Sequence, residues 1–341
     1  MKKFSMTYML LDARYSARRR GVFFELFIFY FAYWILKTVE SIVSSIPQSI
    51  LLMRDEAFRE LLSDLDRLQS LTMEEFMSIF AEAVLRMPEW MMLISLFATA
   101  VTVAGAIFIC VKLEKRSLGS MGLHSRGAFG EYLLGFVLGG VLIGLVALVA
   151  VGADALSFSL NQNINLPMLA LFFVAFLIQG LSEELLCRGY LMMSLARTAS
   201  PLASVLISAL VFAVLHMGNP GVEPLALLNI ALAGIVFGTY MLKRGSIWGA
   251  AAMHAAWNFV QGNILGVPVS GMALNASLLT ATAGDYRTHV NGGKFGLEGG
   301  LAVTIVLLIA IGILAAMPTK KSEIVTVRVE ERPDVGDHEQ L

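Results

Sequence analysis

Charge is scarce in this sequence. Only 15% of its 341 residues are Asp, Glu, Lys or Arg, against 57% hydrophobic, and the mean hydropathy is +0.73. A soluble domain carries roughly 25% charged residues, so a large soluble core is excluded and a polytopic membrane protein is expected. Cysteine is nearly absent. Cys110 and Cys187 both fall in apolar runs, which excludes a disulfide framework or a metal knuckle. Cys187, between Glu184 and Arg188, reads as a small packing residue. The net charge of −1 is uninformative about nucleic acid, but no basic cluster follows an aromatic pattern, and no nucleic-acid partner is expected. Methionine is frequent, with 18 residues, which fits adaptable helix packing better than a metal box.

What is present is a succession of apolar runs. A basic arm over 1–20 (Lys2, Lys3, Arg14, Arg18, Arg19, Arg20) precedes a long apolar segment, 21–46, without a small-residue cleavage site, which predicts a retained first span. Residues 47–90 break the pattern after Pro47. There Phe58, Leu61, Leu62, Leu65 and Leu68 recur at helical spacing among charges, as in an amphipathic helix outside the hydrocarbon or on the lipid surface. The core expected over 91–317 supplies further spans near 90–111, 131–151, 166–196, 202–216, 224–242, 247–260 and 301–316. The stretch 262–300 reads as a Gly-, Ser- and Thr-rich loop, and 318–341 as a charged, mobile tail. The fold class is thus all-α, a membrane bundle of about eight transmembrane helices. Loops 152–163 and 218–223 lack Lys and Arg, whereas Lys112, Lys115, Arg116, Arg197, Lys243, Arg244, Lys320 and Lys321 fall on the side of the amino terminus. The positive-inside rule therefore puts both termini in the cytoplasm.

Gln179 to Tyr190 stands out against this background. Two adjacent carboxylates, Glu183 and Glu184, and Arg188 close the apolar run from Leu166 to Ile178. Ionisable groups at membrane depth are costly and mark functional sites by default. On a helix Glu184 and Arg188 lie one turn apart and can pair, while Glu183 points about 100° away and needs a partner from another span. Two of only five histidines qualify: His216, one turn after Phe212, and His254, one turn before Asn258. Depth supports them. Glu183 precedes the turn near Ala199 by roughly 16 residues and His216 follows it by roughly 17, about 25 Å either way at 1.5 Å per residue. Asn258 is about 20 Å beyond the turn at Gly245 on the same reckoning.

A carboxylate, two imidazoles and a carboxamide inside a bilayer suit water activation. A shielded carboxylate becomes a usable base, an imidazole can share the proton, and an Asn amide can donate to an oxyanion. Glu183, His216 and His254 could instead ligate Zn²⁺ and leave one position for water. Both alternatives stay open. The absence of His-Glu-x-x-His excludes the usual zinc-protease helix.

The motifs Glu183-Glu184-x-x-x-Arg188, Phe212-x-x-x-His216 and His254-x-x-x-Asn258, in order on separate spans, resemble those of the CAAX-protease and bacteriocin-processing family of intramembrane proteases, in its bacterial form. The resemblance extends over about residues 115–300, through Arg116 to Leu123, Val269 to Gly271 and Phe295 to Gly300. It implies an integral protein of a bacterial cell membrane that hydrolyses a peptide bond of a membrane-associated peptide or protein near or within the lipid bilayer. Glu183 would activate water with help from His216. His254 and Asn258 would stabilise the oxyanion or help hold a metal, and Glu184 and Arg188 would orient the helix or contact substrate. The resemblance gives no role to 47–90. Other classes remain to be weighed: a proton- or ion-coupled transporter using the Glu/His cluster as a relay, against which no matching pair of broken spans is seen, and a non-catalytic bacteriocin-immunity protein. Trp248 and Trp257 read as packing or interface residues, and the Asn275-Ala-Ser277 sequon as chance.

Overall fold

The computed structural model describes residues 3–15, 20–85, 88, 90–284, 287–320 and 324–328. Of the basic arm and the tail, Lys2, Arg18, Arg19, Lys321 and residues 329–341 lie outside the described residues. Its longer elements run β1 (Lys3–Thr7), α1 (Tyr8–Tyr15), α2 (Val22–Leu52), α3 (Glu56–Ser63), α4 (Leu65–Ser70) and α5 (Met73–Leu85). Then come α6 (Trp90–Leu113), α7 (Ala128–Gly152), β2 (Leu156–Leu160), α8 (Leu166–Leu195) and α9 (Pro201–Leu215). The chain ends with α10 (Pro224–Arg244), α11 (Ile247–Phe259), β3 (Leu279–Ala283), α12 (Leu301–Ala316) and β4 (Ile324–Arg328). Five helices, α2, α6, α7, α8 and α10, are long and apolar enough to cross a membrane, and α9 and α12 are shorter apolar helices of 15 and 16 residues.

Local chemistry explains most of the boundaries. Asn165 accepts from Met168 N–H at the start of α8 and Ser200 from Ala203 N–H at the start of α9, each satisfying a donor that the first helical turn leaves free. Pro201 and Pro224 occupy first-turn positions, where a missing N–H costs nothing. Gly245, at φ +68°, ends α10 in the left-handed conformation.

Four sequence expectations need correction. The described chain is not purely helical: β1 pairs antiparallel with β4, from Lys3 opposite Arg328 to Thr7 opposite Ile324, and β2 pairs with β3, from Leu156 opposite Ala283 to Leu160 opposite Leu279. The first segment of the tail is therefore tied to the amino-terminal arm, and the loops 152–163 and 262–300 are tied to each other. The first span does not stop at residue 46, because α2 continues through Pro47 to Leu52; proline removes one ladder donor but does not by itself end a helix. The amphipathic stretch is not one helix. Asp64 closes α3 and caps α4 by accepting from Arg67 N–H, so Phe58 and Leu61 are buried while Leu65 is exposed; Phe58 packs on Phe76 and Phe80 of α5. Finally, α9 ends at Leu215, leaving His216 as its C-cap.

Close approach of small residues fixes the centre of the bundle. On α7, Gly135 and Gly139 lie against the backbone of Gly249 and Met253 of α11, and Gly180 of α8 lies against Ala251 and Ala255 of α11. Without a hydrophobic drive between helices in lipid, such small-xxx-small contacts let backbones approach and gain dispersion energy. Helix α11 is thus clamped between α7 and α8. Within α8 the ladder changes to π over Leu185–Met192, a feature common at functional sites. Arg116 stabilises that segment. Its guanidinium makes five hydrogen bonds, to Gly189 O, Tyr190 O, Ser194 Oγ and both Ser120 oxygens, so every donor it owns is used. At the same end, Arg197 pairs with Glu25 at 2.8 Å and Glu114 at 3.5 Å, and Arg20 pairs with Glu114 at 2.7 Å.

Gly180→Val inserts a branched side chain where α11 backbone already sits. Overpacking of this kind costs about 1–3 kcal/mol, so thermal unfolding in detergent should show a lowered midpoint. An unchanged midpoint would mean that the α8–α11 contact is looser than the structure has it.

Candidate active site

Glu184 lies at the centre of the bundle, fully buried. Its Oε1 accepts from Arg188 Nη1 at 2.8 Å and from His254 Nδ1 at 3.0 Å. The helical pair expected from the sequence thus forms and acquires a third member from α11. Arg188 is also buried. Its Nε and Nη2 have no hydrogen-bond acceptor; instead its guanidinium stands 4.2 Å from the ring centroid of Phe212 and 5.5 Å from that of Phe237, where ring quadrupoles replace oxygen partners. Phe237 also stacks on His254 at 5.3 Å. The imidazole is therefore fixed by an acceptor on Nδ1 and by a ring on its face.

Glu183, one residue earlier, turns to a cavity. Its Oε1 accepts from Gln179 Nε2 at 2.7 Å, and Gln179 Oε1 accepts from Asn258 Nδ2 at 3.0 Å, so a carboxamide relay joins three of the cluster's side chains. Its Oε2 is buried without a hydrogen-bond partner. Facing that oxygen are His216 Nε2 at 3.9 Å and His254 Nε2 at 3.8 Å. The other imidazole nitrogens are committed: His216 Nδ1 lies 2.7 Å from Phe212 O and His254 Nδ1 lies against Glu184. A carbonyl and a carboxylate can only accept, so both Nδ1 atoms carry the proton and, in the neutral rings, both Nε2 atoms carry lone pairs. His216 can do this because α9 ends beside it, freeing the Phe212 carbonyl that a continuing helix would occupy. Three acceptors converge with no donor among them. Separations beyond 3.5 Å between polar atoms suit a bridging water, whose two O–H groups can serve Glu183 Oε2 and one of the imidazoles.

A metal is a different matter. Carboxylate and imidazole are suitable zinc ligands, but a tetrahedral ion with bonds of about 2.0–2.1 Å holds its ligand atoms about 3.4 Å apart. The Glu183-to-histidine distances are wider, and among the described residues no group of three or more His, Cys, Asp or Glu is gathered to hold a metal ion. As arranged, Glu183, His216 and His254 do not fit zinc.

The cavity beside Glu183 has a volume of ≈ 280 Å³, near the lower limit of small-ligand pockets. Its walls include residues that the sequence reading passed over. Tyr33, Lys37 and Glu40 of α2 line it together with the histidines. Lys37 pairs with Glu40 at 2.8 Å, and Glu40 accepts from Thr102 Oγ1 of α6 at 2.6 Å. An ionisable pair in an apolar run was a readable signal, the same one that marked Glu183. Behind the histidines a second cavity of ≈ 40 Å³ touches His216, His254, Asn258, Asn229, Ser270 and Glu298, room for at least one water. Glu298, in the 262–300 loop, accepts from Ser270 N–H at 2.7 Å and Gln261 Nε2 at 3.1 Å. Burial is the largest influence on its carboxyl, which is pushed up to about 7 against these hydrogen bonds. Gln179, which binds Asn258, opens the stretch that stands out in the sequence, whereas Phe237, which stacks on His254, had no marker there, because a phenyl ring in a span is ordinary. Cys187 and Trp257 are buried, in keeping with packing roles.

All six residues singled out in the sequence, Glu183, Glu184, Arg188, His216, His254 and Asn258, belong to this one cluster. No curated protein and no solved structure matches the chain. Residues 165–260, which carry all six side chains, match the family described as type II CAAX prenyl endopeptidase, Rce1-like, the family that the three motifs resemble.

Proposed function

We propose that this protein is an intramembrane endopeptidase that hydrolyses a peptide bond of a membrane-associated peptide or protein with water activated by Glu183. The observation that carries the reading is the convergence of three hydrogen-bond acceptors, Glu183 Oε2, His216 Nε2 and His254 Nε2, on one cavity. A water donating to Glu183 Oε2 and to one imidazole presents an oxygen lone pair to a substrate carbonyl. Glu183 takes the proton as the C–O bond forms, and returns it to the amine as the C–N bond breaks. Asn258 uses one amide hydrogen on Gln179, and its second is free to donate to the oxyanion. Glu184 acts through His254, holding its tautomer and ring orientation, and Arg188 neutralises Glu184.

Orientation follows the distribution of basic residues, with both termini in the cytoplasm. The β1–β4 ladder, which holds the two ends of the described chain together, supports termini on one face.

The decisive measurement incubates the protein in nanodiscs with a pool of membrane-associated peptides and reads new termini by mass spectrometry. Wild type should produce them. Glu183→Ala should lose activity by about 10²–10⁴-fold, the usual contribution of a positioned general base, with its thermal midpoint retained. Proton-coupled flux with no peptide product would favour the transporter reading instead.

Glu184→Gln should behave differently from Glu183→Ala. Its amide oxygen can still accept from Arg188 and His254, both of which bond to Oε1, but the lost carboxylate leaves buried positive charge uncompensated, a loss of about 3–5 kcal/mol for a broken buried pair. Both the thermal midpoint and kcat should fall. A variant with full kcat would remove Glu184 from the positioning role.

Metal stripping supplies the third test. With the spacing described above, cleavage should survive exhaustive chelation. Loss on chelation and recovery with Zn²⁺ would instead place a metal among Glu183, His216 and His254.

A further inference from the structure

The loop of residues 262–300 does more than connect α11 to α12. At Ser270 it reaches the walls of both the catalytic cavity and the smaller cavity behind the histidines. Ser270 has φ +48°, the left-handed region that a residue with a Cβ adopts only under constraint. The constraint is visible on every side. Glu298 Oε2 accepts from Ser270 N–H at 2.7 Å and Glu298 Oε1 from Ser270 Oγ at 3.3 Å. Asn219 Nδ2 donates to Ser270 O at 3.2 Å, and Gly271 N–H donates to Phe295 O at 2.9 Å. Val269 and Met272 exchange two backbone hydrogen bonds of 2.9 Å across the turn.

Glu298 is itself tied to the helix that carries the site. Gln261 lies one helical turn beyond Asn258, and its Nε2 donates both to Glu298 at 3.1 Å and to Pro268 O at 2.6 Å. Asn229 of α10 donates to Glu298 O at 2.7 Å and is held by Thr304 Oγ1 at 2.7 Å. Gly296, at φ +97°, lies so close to Pro268 O that no Cβ fits. Strain that is over-determined in this way, beside an active-site cavity, points from structure to function.

We propose that the Ser270–Gly271 turn is the substrate-contacting rim of the catalytic cavity and that Glu298 is the positioning residue that holds it there. The inference rests on the peptidase reading and deepens it. Ser270 lines the same cavity as Lys37 and Glu40 of α2, so a peptide occupying that cavity meets both the turn and α2. Glu298 does not carry a proton in the reaction. Both its oxygens accept hydrogen bonds from the loop and from Gln261, and its work is geometric. An amide can do the same work: in Glu298→Gln the Oε accepts from Ser270 N–H and Gln261, and the NH₂ donates to Ser270 Oγ, which can accept.

The test uses the full chain in nanodiscs, a peptide cleaved by wild type in the screen above, and hydrogen–deuterium exchange of residues 266–273. Glu298→Ala should accelerate exchange in that segment and raise KM at least tenfold, with kcat within about threefold of wild type. Glu298→Gln should restore both readings to near wild type. Glu298→Asp, which keeps the charge but lacks the reach, should raise KM severalfold and supplies the answer if Glu298→Ala fails to fold. A Glu298→Gln variant as inactive as Glu298→Ala would overturn the positioning role in favour of proton transfer. Faster exchange with unchanged KM would overturn the substrate rim. If wild type cleaves no peptide, the peptidase reading fails and the substrate rim with it, while the exchange data still decide whether Glu298 holds the turn.

Discussion

The contact on which the rest depends is the one between Glu184, Arg188 and His254, closed off from water at the centre of the bundle. Removing a carboxylate and a guanidinium from water costs several kcal/mol per ion before their attraction is counted. Such a pair survives only where geometry is enforced from outside. The enforcement can be traced: Phe212 and Phe237 cover the guanidinium, Arg116 binds the carbonyls of Gly189 and Tyr190 just beyond it, and small residues on α7 and α8 admit α11 close enough for His254 to reach Glu184. The π segment begins directly after Glu184, so the helix changes register where its charged residues must face inward.

From that fixed pair the character of the neighbouring site follows. Because Glu184 accepts a hydrogen bond from Nδ1–H of His254, and Phe212 O one from Nδ1–H of His216, both rings turn lone pairs towards Glu183. A cluster made only of acceptors cannot satisfy itself. It is built to receive a donor, and water is the donor that suits both its size and the reaction proposed. The adjacent carboxylates thus divide the labour by environment: Glu184 is buried and paired, whereas Glu183 opens onto a cavity of ≈ 280 Å³.

The cavity is also where distant parts of the chain meet. Helix α2 brings Lys37 and Glu40, neutralised against each other and fastened to Thr102. The 262–300 loop brings Ser270, and the β2–β3 ladder and Asn161, which donates to Ser277 O at 2.9 Å, fasten that loop to the one after α7. The segment matched by the Rce1-like family ends at residue 260. These additional walls therefore lie outside it, where substrate preference can vary without disturbing the six central side chains.

The sequence alone determined the solvent and the central cluster, for one physical reason: an ionisable group in an apolar helix needs a partner, so Glu183, Glu184, Arg188, His216 and His254 declare themselves by being where they are costly. Helical rise then placed Glu183, His216 and Asn258 at comparable depth, and the structure brings them together. Tertiary structure alone decided which oxygen meets which nitrogen, because the rotation of one helix about its axis is set by its neighbours and not by its own residues. It also decided the strand pairings, since β2 and β3 are separated by four helices and each is too short to signal itself. The break at Asp64 went unread because the apolar spacing continued across it while the side chain capped the next helix. Ser270 and Glu298 fall within stretches that carry the family resemblance, but their contact with each other had no sequence signal, for a related reason. In a glycine-rich loop without periodicity, a charged residue looks solvated until the fold closes around it.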